Sequence, residues 1–142
     1  TQGTPLQLPA SHPFNSLALL RLAVAMDPSG EPSRFACDKI FRHVWCNGQE
    51  AADADRLASL TAELAPQRDV AHPDVKQQLK HNTDEALALN VFGVPSFVVD
   101  DQVFWGNDAL PMLRAYLSGD PWFQSGEWTE VGQLPVGVRR KG

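Results

Sequence analysis

The stretch from Asn90 to Val99, NVFGVPSFVV, constrains the fold of this chain more than any other. A predicted helix ends at Asn90, Gly93 marks a turn, and Pro95 opens an apolar run that is typical of a strand. Proline is tolerated as the first residue of a strand because its missing N–H breaks no ladder there. The backbone of Val94 is then left unpaired and can pair with an extended peptide. An ordinary helix-to-strand turn remains the alternative.

Composition narrows the class of protein. The chain has 142 residues, 43% hydrophobic content and a mean hydropathy of -0.26, which indicate a soluble globular domain with its own core. A net charge of -5 and a pI near 5.2 provide no electrostatic surface for nucleic acid. The longest apolar run, residues 17–26, contains Arg21 and is shorter than the roughly 20 residues of a membrane span. It also lacks the basic leader and the cleavage site of a signal peptide.

Cysteine and histidine positions argue against redox and metal centres. Cys37 and Cys46 fall on opposite faces of one predicted helix, roughly 13 Å apart along its axis, and cannot bridge. The chain has no Cys-x-x-Cys pair, so we expect no thiol–disulfide centre, and two unbridged thiols suit a reducing, cytoplasmic location. No metal site is expected either, since metal-ligand spacing is absent among the four histidines: His12, His43, His72 and His81.

Capping and helix-breaking signals predict four helices in the first part of the chain. Their predicted bounds are Asn15 or Ser16 to Met26, Glu31 to Gly48, Asp53 or Asp55 to before Pro66, and Pro73 to Asn90. Pro32 is placed in the first turn of the second helix, where its missing donor costs nothing. The second and third helices carry apolar stripes at helical spacing: Cys37, Ile40, Phe41 and Val44, then Leu57, Leu60 and Leu64.

The rest of the chain predicts a β-hairpin and one more helix. Strands Ser96–Val99 and Gln102–Trp105 meet across Asp100-Asp101. Asn107-Asp108 then begins a helix with an apolar stripe of Leu110, Leu113 and Leu117. The predicted division is a helical part at 1–90, a hairpin and helix at 91–123, and a tail at 124–142 that is ordered only if something packs on it. Because the first strand is apolar on both faces, either helices bury the hairpin or further strands come from sequence not present here.

Five segments, in order and across nearly the whole chain, resemble one known family: residues 12–17 (HPFNSL), 41–45 (FRHVW), 75–79 (VKQQL), 92–97 (FGVPSF) and 104–108 (FWGND). Gly-Val-Pro is common to the wider thioredoxin superfamily, whereas its combination with Phe-Trp-Gly-x-Asp is more specific. The chain resembles the 2-hydroxychromene-2-carboxylate isomerases and their relatives, the kappa-class glutathione transferases. The resemblance implies an α/β thioredoxin-like (DsbA-like) fold with a helical insertion, of which this chain would supply mostly helices, the hairpin and the C-terminal helix.

The resemblance also implies that an N-terminal strand–helix–strand unit is missing from this chain. That unit carries the family's active-site serine, and no residue here matches it. We therefore assign no catalytic residue. Either the chain is a C-terminal fragment, or it cannot carry the family's chemistry alone.

Four residues are implied to bind glutathione. In the family the peptide bond before the motif proline is cis, which here is Val94–Pro95, and the exposed Val94 backbone would pair with the cysteinyl unit. Backbone donors at Asn107 and Asp108 would bind the γ-glutamyl carboxylate and the Asp108 side chain its ammonium, although plain helix capping is an alternative for both. Trp105 either lines the pocket or fills the core.

Other aromatic positions have two open interpretations each. Phe14 and Asn15 either face a second substrate or serve as helix cap and staple. The aromatic residues of the second helix, Phe35, Phe41 and Trp45, are expected in the core or between domains.

The implied activity is that of a glutathione-dependent isomerase of aromatic acids, with glutathione as a cofactor that returns unchanged. A conjugating glutathione transferase would share every one of these residues. A third alternative is a non-catalytic binding module. Relatives commonly form dimers, so a homodimer is left open, and neither nucleic acid nor membrane is expected as a partner.

Overall fold

The computed structural model describes Gly3 and residues 5–131, which form six α-helices and one β-hairpin. The helices are α1 Leu17–Ala25, α2 Arg34–Trp45, α3 Ala54–Leu64, α4 Pro73–Ala88, α5 Leu110–Leu117 and α6 Gly126–Val131. The strands are β1 Ser96–Val99 and β2 Gln102–Trp105. Short 3-10 turns lie at Asn107–Ala109 and Pro121–Gln124. No helix within the described range is long and apolar enough to cross a bilayer.

The chain divides into two compact units, Thr1–Glu85 and Ala86–Gly142. The first holds α1 to α3 and most of α4, and the second holds the hairpin with α5 and α6. The sequence-based division at residues 90 and 123 remains a prediction. The last part of the predicted tail, residues 132–142, lies outside the described residues.

Side-chain caps account for the starts of three helices. The Asp53 carboxylate accepts a hydrogen bond from the Arg56 N–H at 2.9 Å, so the predicted start of α3 is confirmed. Ser33 accepts from the Ala36 N–H at 3.2 Å, and α2 therefore begins at Arg34. The predicted start at Glu31-Pro32 is wrong, because the cap is the Ser33 side chain and Pro32 therefore lies before the helix. For α1, Ser16 occupies the cap position, but the Asn15 side chain accepts from the Leu17 N–H at 3.0 Å.

The core of the first unit lies where α1, α2 and α3 meet. Its buried side chains are Leu19, Leu22, Ala36, Val44, Ala51, Leu60 and Leu64. The predicted stripe on α3 is confirmed, with Leu57 packed against this cluster. On α2, Phe35 and Phe41 are 59% and 61% exposed, so the core alternative is wrong for these two rings and packing between domains remains a prediction. Phe41 is rotated about 100° from the packed Ile40, away from the sector that Ala36 and His43 bury.

The predicted hairpin is confirmed. β1 and β2 are antiparallel, with Ser96 opposite Trp105 and Val99 opposite Gln102. Asp100 and Asp101 have φ values of 48° and 63°, and a tight hairpin turn of type I′ requires positive φ at both central residues. Within the described range the sheet has only these two strands.

Helices of the second unit cover one face of this hairpin. Phe104 is 2% exposed, and its ring lies 5.3 Å from that of Tyr116 on α5 and 6.5 Å from that of Trp128 on α6. Trp128 also contacts Trp122 and Phe123. Trp128 thus anchors the first part of the predicted tail, in which residues 126–131 form α6.

The last predicted helix starts differently from the expectation. Residues 107–109 form a 3-10 turn, and α5 begins at Leu110 with Pro111 in its first turn. Of the predicted stripe only Leu113 is buried, whereas Leu110 and Leu117 are 40% and 65% exposed.

Candidate functional site at the open end of the hairpin

The four residues predicted to bind a ligand lie together at the open end of the hairpin. Beyond the pair Ser96–Trp105, the Gly106 N–H donates to the Pro95 carbonyl at 2.9 Å, which extends the ladder by one pair. Val94 directly precedes Pro95 and Asn107 directly follows Gly106, so this bond places the Val94 backbone and the start of the Asn107 turn at the same end of the hairpin.

Val94 presents an unpaired backbone at this surface. The residue is 87% exposed, and neither its N–H nor its C=O has a hydrogen-bond partner among the described residues. The peptide bond from Val94 to Pro95 is cis. The Ser96 hydroxyl donates to the Gly93 carbonyl at 2.6 Å and closes the turn that precedes the strand. The strand edge at Val94 can therefore accept an extended peptide backbone.

Asn107 and Asp108 face solvent at the start of the 3-10 turn. Their backbone N–H groups donate to no acceptor in the described part of the chain, as is usual for the first N–H groups of a helical segment. Neither side chain caps this turn or α5, so the simple capping role is not observed. Gly106 adopts φ 94°, and the Asp108 carboxylate lies beside its Cα, where a β-carbon would stand. Two free N–H donors and one carboxylate are thus available to a ligand that carries both a negatively and a positively charged group.

Trp105 forms a wall of the same surface. It is 52% exposed and therefore does not fill the core of this unit. Its ring lies 5.0 Å from that of Phe92, which is 74% exposed. Gly93 lies under the indole, because a β-carbon there would be only 2.5 Å from the Trp105 Nε1. Phe92 was missed as a site residue, although its place in the Phe-Gly-Val-Pro turn was a signal for it.

Phe14 and Asn15 belong to the other unit. The Phe14 ring packs edge-on against Trp45 at 6.3 Å, and Asn15 caps α1. The cap role is therefore observed for Asn15, and contact of either residue with a second substrate remains a prediction. No group of three or more potential metal-ligating side chains occurs among the residues that the structure covers.

Comparisons with known proteins agree on the fold. Residues 1–118 match the family model of the DSBA-like thioredoxin domain. A 2-hydroxychromene-2-carboxylate isomerase of known structure superposes with a TM-score of 0.65 at 23% identity, over 89% of this chain and 63% of that chain. This likeness confirms the predicted DsbA-like thioredoxin fold.

Relatives of known name include isomerases and a transferase. A 2-hydroxychromene-2-carboxylate isomerase of Pseudomonas putida is 30% identical over 121 residues, 80% of this chain and 57% of the relative. A protein of the same name from Sphingobium xenophagum is 30% identical over 82 residues, 54% of this chain and 42% of the relative. Human glutathione S-transferase kappa 1 is 27% identical over 139 residues, 89% of this chain and 58% of the relative. The chain thus spans about half the length of these relatives, and it belongs to the DSBA-like thioredoxin domain family.

Proposed function

We propose that the protein is a glutathione-dependent isomerase of aromatic acids of the 2-hydroxychromene-2-carboxylate type. The observation that carries this proposal is the similarity to three proteins named 2-hydroxychromene-2-carboxylate isomerase, from Sphingobium xenophagum, Pseudomonas putida and a further Pseudomonas strain. The open end of the hairpin supports the cofactor part of the proposal. A cytoplasmic location and a homodimer remain predictions.

The residues at this surface fit the chemistry of glutathione. The unpaired Val94 backbone suits the extended cysteinyl unit, since a strand edge recognises a peptide through main-chain hydrogen bonds. The free N–H groups at Asn107 and Asp108 suit a carboxylate, and the Asp108 carboxylate suits an ammonium group. The γ-glutamyl end of glutathione carries both of these groups. Trp105 and Phe92 would shield the thiol end from water.

The role of this chain's residues would be to bind and orient the cofactor. The chemistry supplied at the occupied site would be reversible addition of a thiol to a conjugated double bond, with glutathione recovered unchanged. We assign no residue of this chain to activate the thiol, because none matches the family's active-site serine.

The second candidate is a conjugating glutathione transferase, favoured by the similarity to human glutathione S-transferase kappa 1. The two candidates use the same binding surface and differ in the fate of glutathione. An isomerase returns it after each turnover, whereas a transferase consumes one molecule for each product.

The binding part of the proposal is tested by calorimetric titration of the chain with reduced glutathione. We expect Asp108→Asn to weaken binding at least five-fold, because the ammonium group loses its charged partner. The matched control is Asp101→Asn, which removes the same charge from the turn at the far end of the hairpin and should leave binding unchanged. Glutathione binding that is equal in all three proteins would exclude this surface.

The catalytic part is tested by incubating the chain with 2-hydroxychromene-2-carboxylate and glutathione, and by quantifying product and free thiol. Product formed at constant thiol supports the isomerase. Thiol lost in proportion to product would establish the transferase instead. Binding without any turnover at saturating glutathione would refute catalysis by this chain and make it a binding module.

A further inference from the structure

We propose that the cavity between α1 and α2 binds an uncharged compound of two fused rings. The cavity has a volume of about 310 Å³ and lies wholly within the first unit. Its walls include Phe14, Leu20, Ala23, Cys37, Ile40 and Trp45. The inference does not rest on glutathione binding, because none of these residues belongs to the hairpin surface, although Phe14 is one of the two residues predicted to face a second substrate.

The depth of the cavity distinguishes it from a flat apolar patch. Leu19 and Val44 line it and are only 4% and 3% exposed, so it reaches the core. Phe41 and Leu20 also line it and are 61% and 45% exposed, so they lie at its mouth. A molecule that enters would cover the exposed side chains at the mouth and contact core side chains at the bottom. Ligand sites in proteins are typically concave and mostly apolar in this way.

The lining defines the charge of the occupant. Among the residues that the structure describes, no charged side chain lines the cavity, and the only side-chain hydroxyl and thiol in its walls are those of Ser16 and Cys37. An anion or cation would lose its hydration without gaining an opposite charge, which is strongly unfavourable. The walls are therefore complementary to a molecule that carries no charge.

The shape and volume of the cavity define the chemical class of the molecule that it would bind. The rings of Phe14 and Trp45 lie 6.3 Å apart at 66°, and Phe41 adds a third ring at the mouth. Aromatic rings arranged edge-to-face favour a planar aromatic guest. An engineered apolar cavity of about 150 Å³ holds benzene. Since this cavity has about twice that volume, at 310 Å³, two fused rings fit it better than one.

Two features of the sequence make the test direct. Cys37 lines the cavity, whereas Cys46 does not and instead contacts the Pro5 carbonyl, so the second thiol serves as an internal control. Lys39 and Arg42 lie between the two cysteines, so trypsin separates them for mass spectrometry. Ile40 is the only isoleucine of the chain, and its methyl resonance reports on the cavity without ambiguity.

The experiment measures iodoacetamide alkylation of both cysteines with and without naphthalene. We expect naphthalene to slow alkylation of Cys37 at least three-fold, to leave Cys46 unchanged and to shift the Ile40 methyl resonance. Ala23→Leu fills the cavity and should abolish these effects, whereas Ala62→Leu on the exposed side of α3 should not. The charged probe 2-naphthoate should bind at least ten-fold more weakly than naphthalene.

Three outcomes would overturn the proposal. The first is an unchanged Ile40 methyl resonance at saturating naphthalene in the folded wild-type chain, a measurement that requires no variant. The second is equal protection of Cys37 and Cys46, which would indicate a non-specific effect of the probe. The third is equal affinity for naphthalene and 2-naphthoate, which would contradict the charge argument.

Discussion

The Gly106 N–H donates to the Pro95 carbonyl at 2.9 Å, and this bond joins the two segments of the candidate site. On one side of the bond lies the unpaired backbone of Val94, and on the other lies the turn that starts at Asn107. Glycines flank both segments, at positions 93 and 106, and each is in close contact with a site side chain. Substitution of either glycine should therefore displace a side chain of the site and affect the rest of the unit less.

Gly93→Ala should displace the Trp105 indole. The added β-carbon would lie 2.5 Å from Nε1 and 3.2 Å from Cε2, and side chains do not tolerate such contacts. We expect a loss of stability of about 1 kcal/mol, typical of mild overpacking, and glutathione binding weakened several-fold. Urea unfolding and calorimetric titration measure the two effects.

The matched control is Gly126→Ala at the start of α6, where a β-carbon would have no contact within 4 Å with described residues beyond its chain neighbours and its own helix backbone. Alanine is a better helix former than glycine, so this substitution should be neutral or slightly stabilising. Similar losses of stability in Gly93→Ala and Gly126→Ala would mean that the collision with Trp105 does not destabilise the fold.

Gly106→Ala should lower stability more than Gly119→Ala, a substitution that introduces backbone strain without a steric collision. Gly106 has φ 94°, and a β-carbon would collide with the Asp108 carboxylate. Gly119 also has a positive φ, 74°, but in the described part of the chain no atom beyond its two neighbours lies within 4 Å of its β-carbon position. Strain at such positions costs on the order of 1–3 kcal/mol. Gly106→Ala should therefore lose stability and also glutathione binding, whereas Gly119→Ala should lose stability only.

Unimpaired glutathione binding by Gly106→Ala would contradict the role given to Asp108. The comparison of unfolding free energies between the two variants separates the collision from the backbone strain.

Local signals were sufficient for several elements. The sequence restricts the cap of α3 to Asp53 or Asp55, and the structure selects Asp53. It also predicts the hairpin from two β-runs separated by two residues. Aspartate tolerates the positive φ that the turn at Asp100-Asp101 requires. A two-residue loop also fixes the register, so the pairing of Ser96 with Trp105 could have been derived from the sequence.

The rest depends on contacts between distant residues. The exposure of Phe41 could not be predicted, because the buried sector of α2 is set by α1 and α3 and not by its own apolar positions. The same holds for the cavity between α1 and α2, which exists only once both helices pack. Phe92 is different, because it directly precedes the Gly-Val-Pro turn and its place in the chain is itself a signal for the site.

Arg56→Ala should destabilise the first unit. The Arg56 guanidinium donates to the His43 carbonyl at 2.8 Å and also to the Glu50 carbonyl. His43 lies in the last turn of α2, where carbonyls lack helical partners and a cation is favourable. Loss of these charged hydrogen bonds should cost about 1–3 kcal/mol, measured by urea unfolding. The control is Arg42→Ala. It removes an exposed ion pair with Asp38, and this loss should leave the unfolding midpoint unchanged.

Tyr116 should titrate above the ordinary tyrosine value of 10.0. Burial against Phe104 and Phe123 raises the pKa of its phenol, and the hydrogen bond to Asp100 at 3.1 Å raises it further. Because the folded pKa is raised, this stabilisation is complete below the unfolded pKa of about 10 and is lost as pH rises through the folded pKa. Tyr116 is the only tyrosine of the chain, so phenolate absorbance reports it alone.

Asp100→Asn provides the second measurement on this tyrosine. Since burial is the larger cause, the pKa of Tyr116 should fall in the variant but stay above that of the urea-unfolded chain. The hydrogen bond also lies at the closed end of the hairpin, far in register from Val94, so glutathione binding should be unaffected. A Tyr116 midpoint equal in the folded and unfolded chains would contradict the packing of this ring against Phe104.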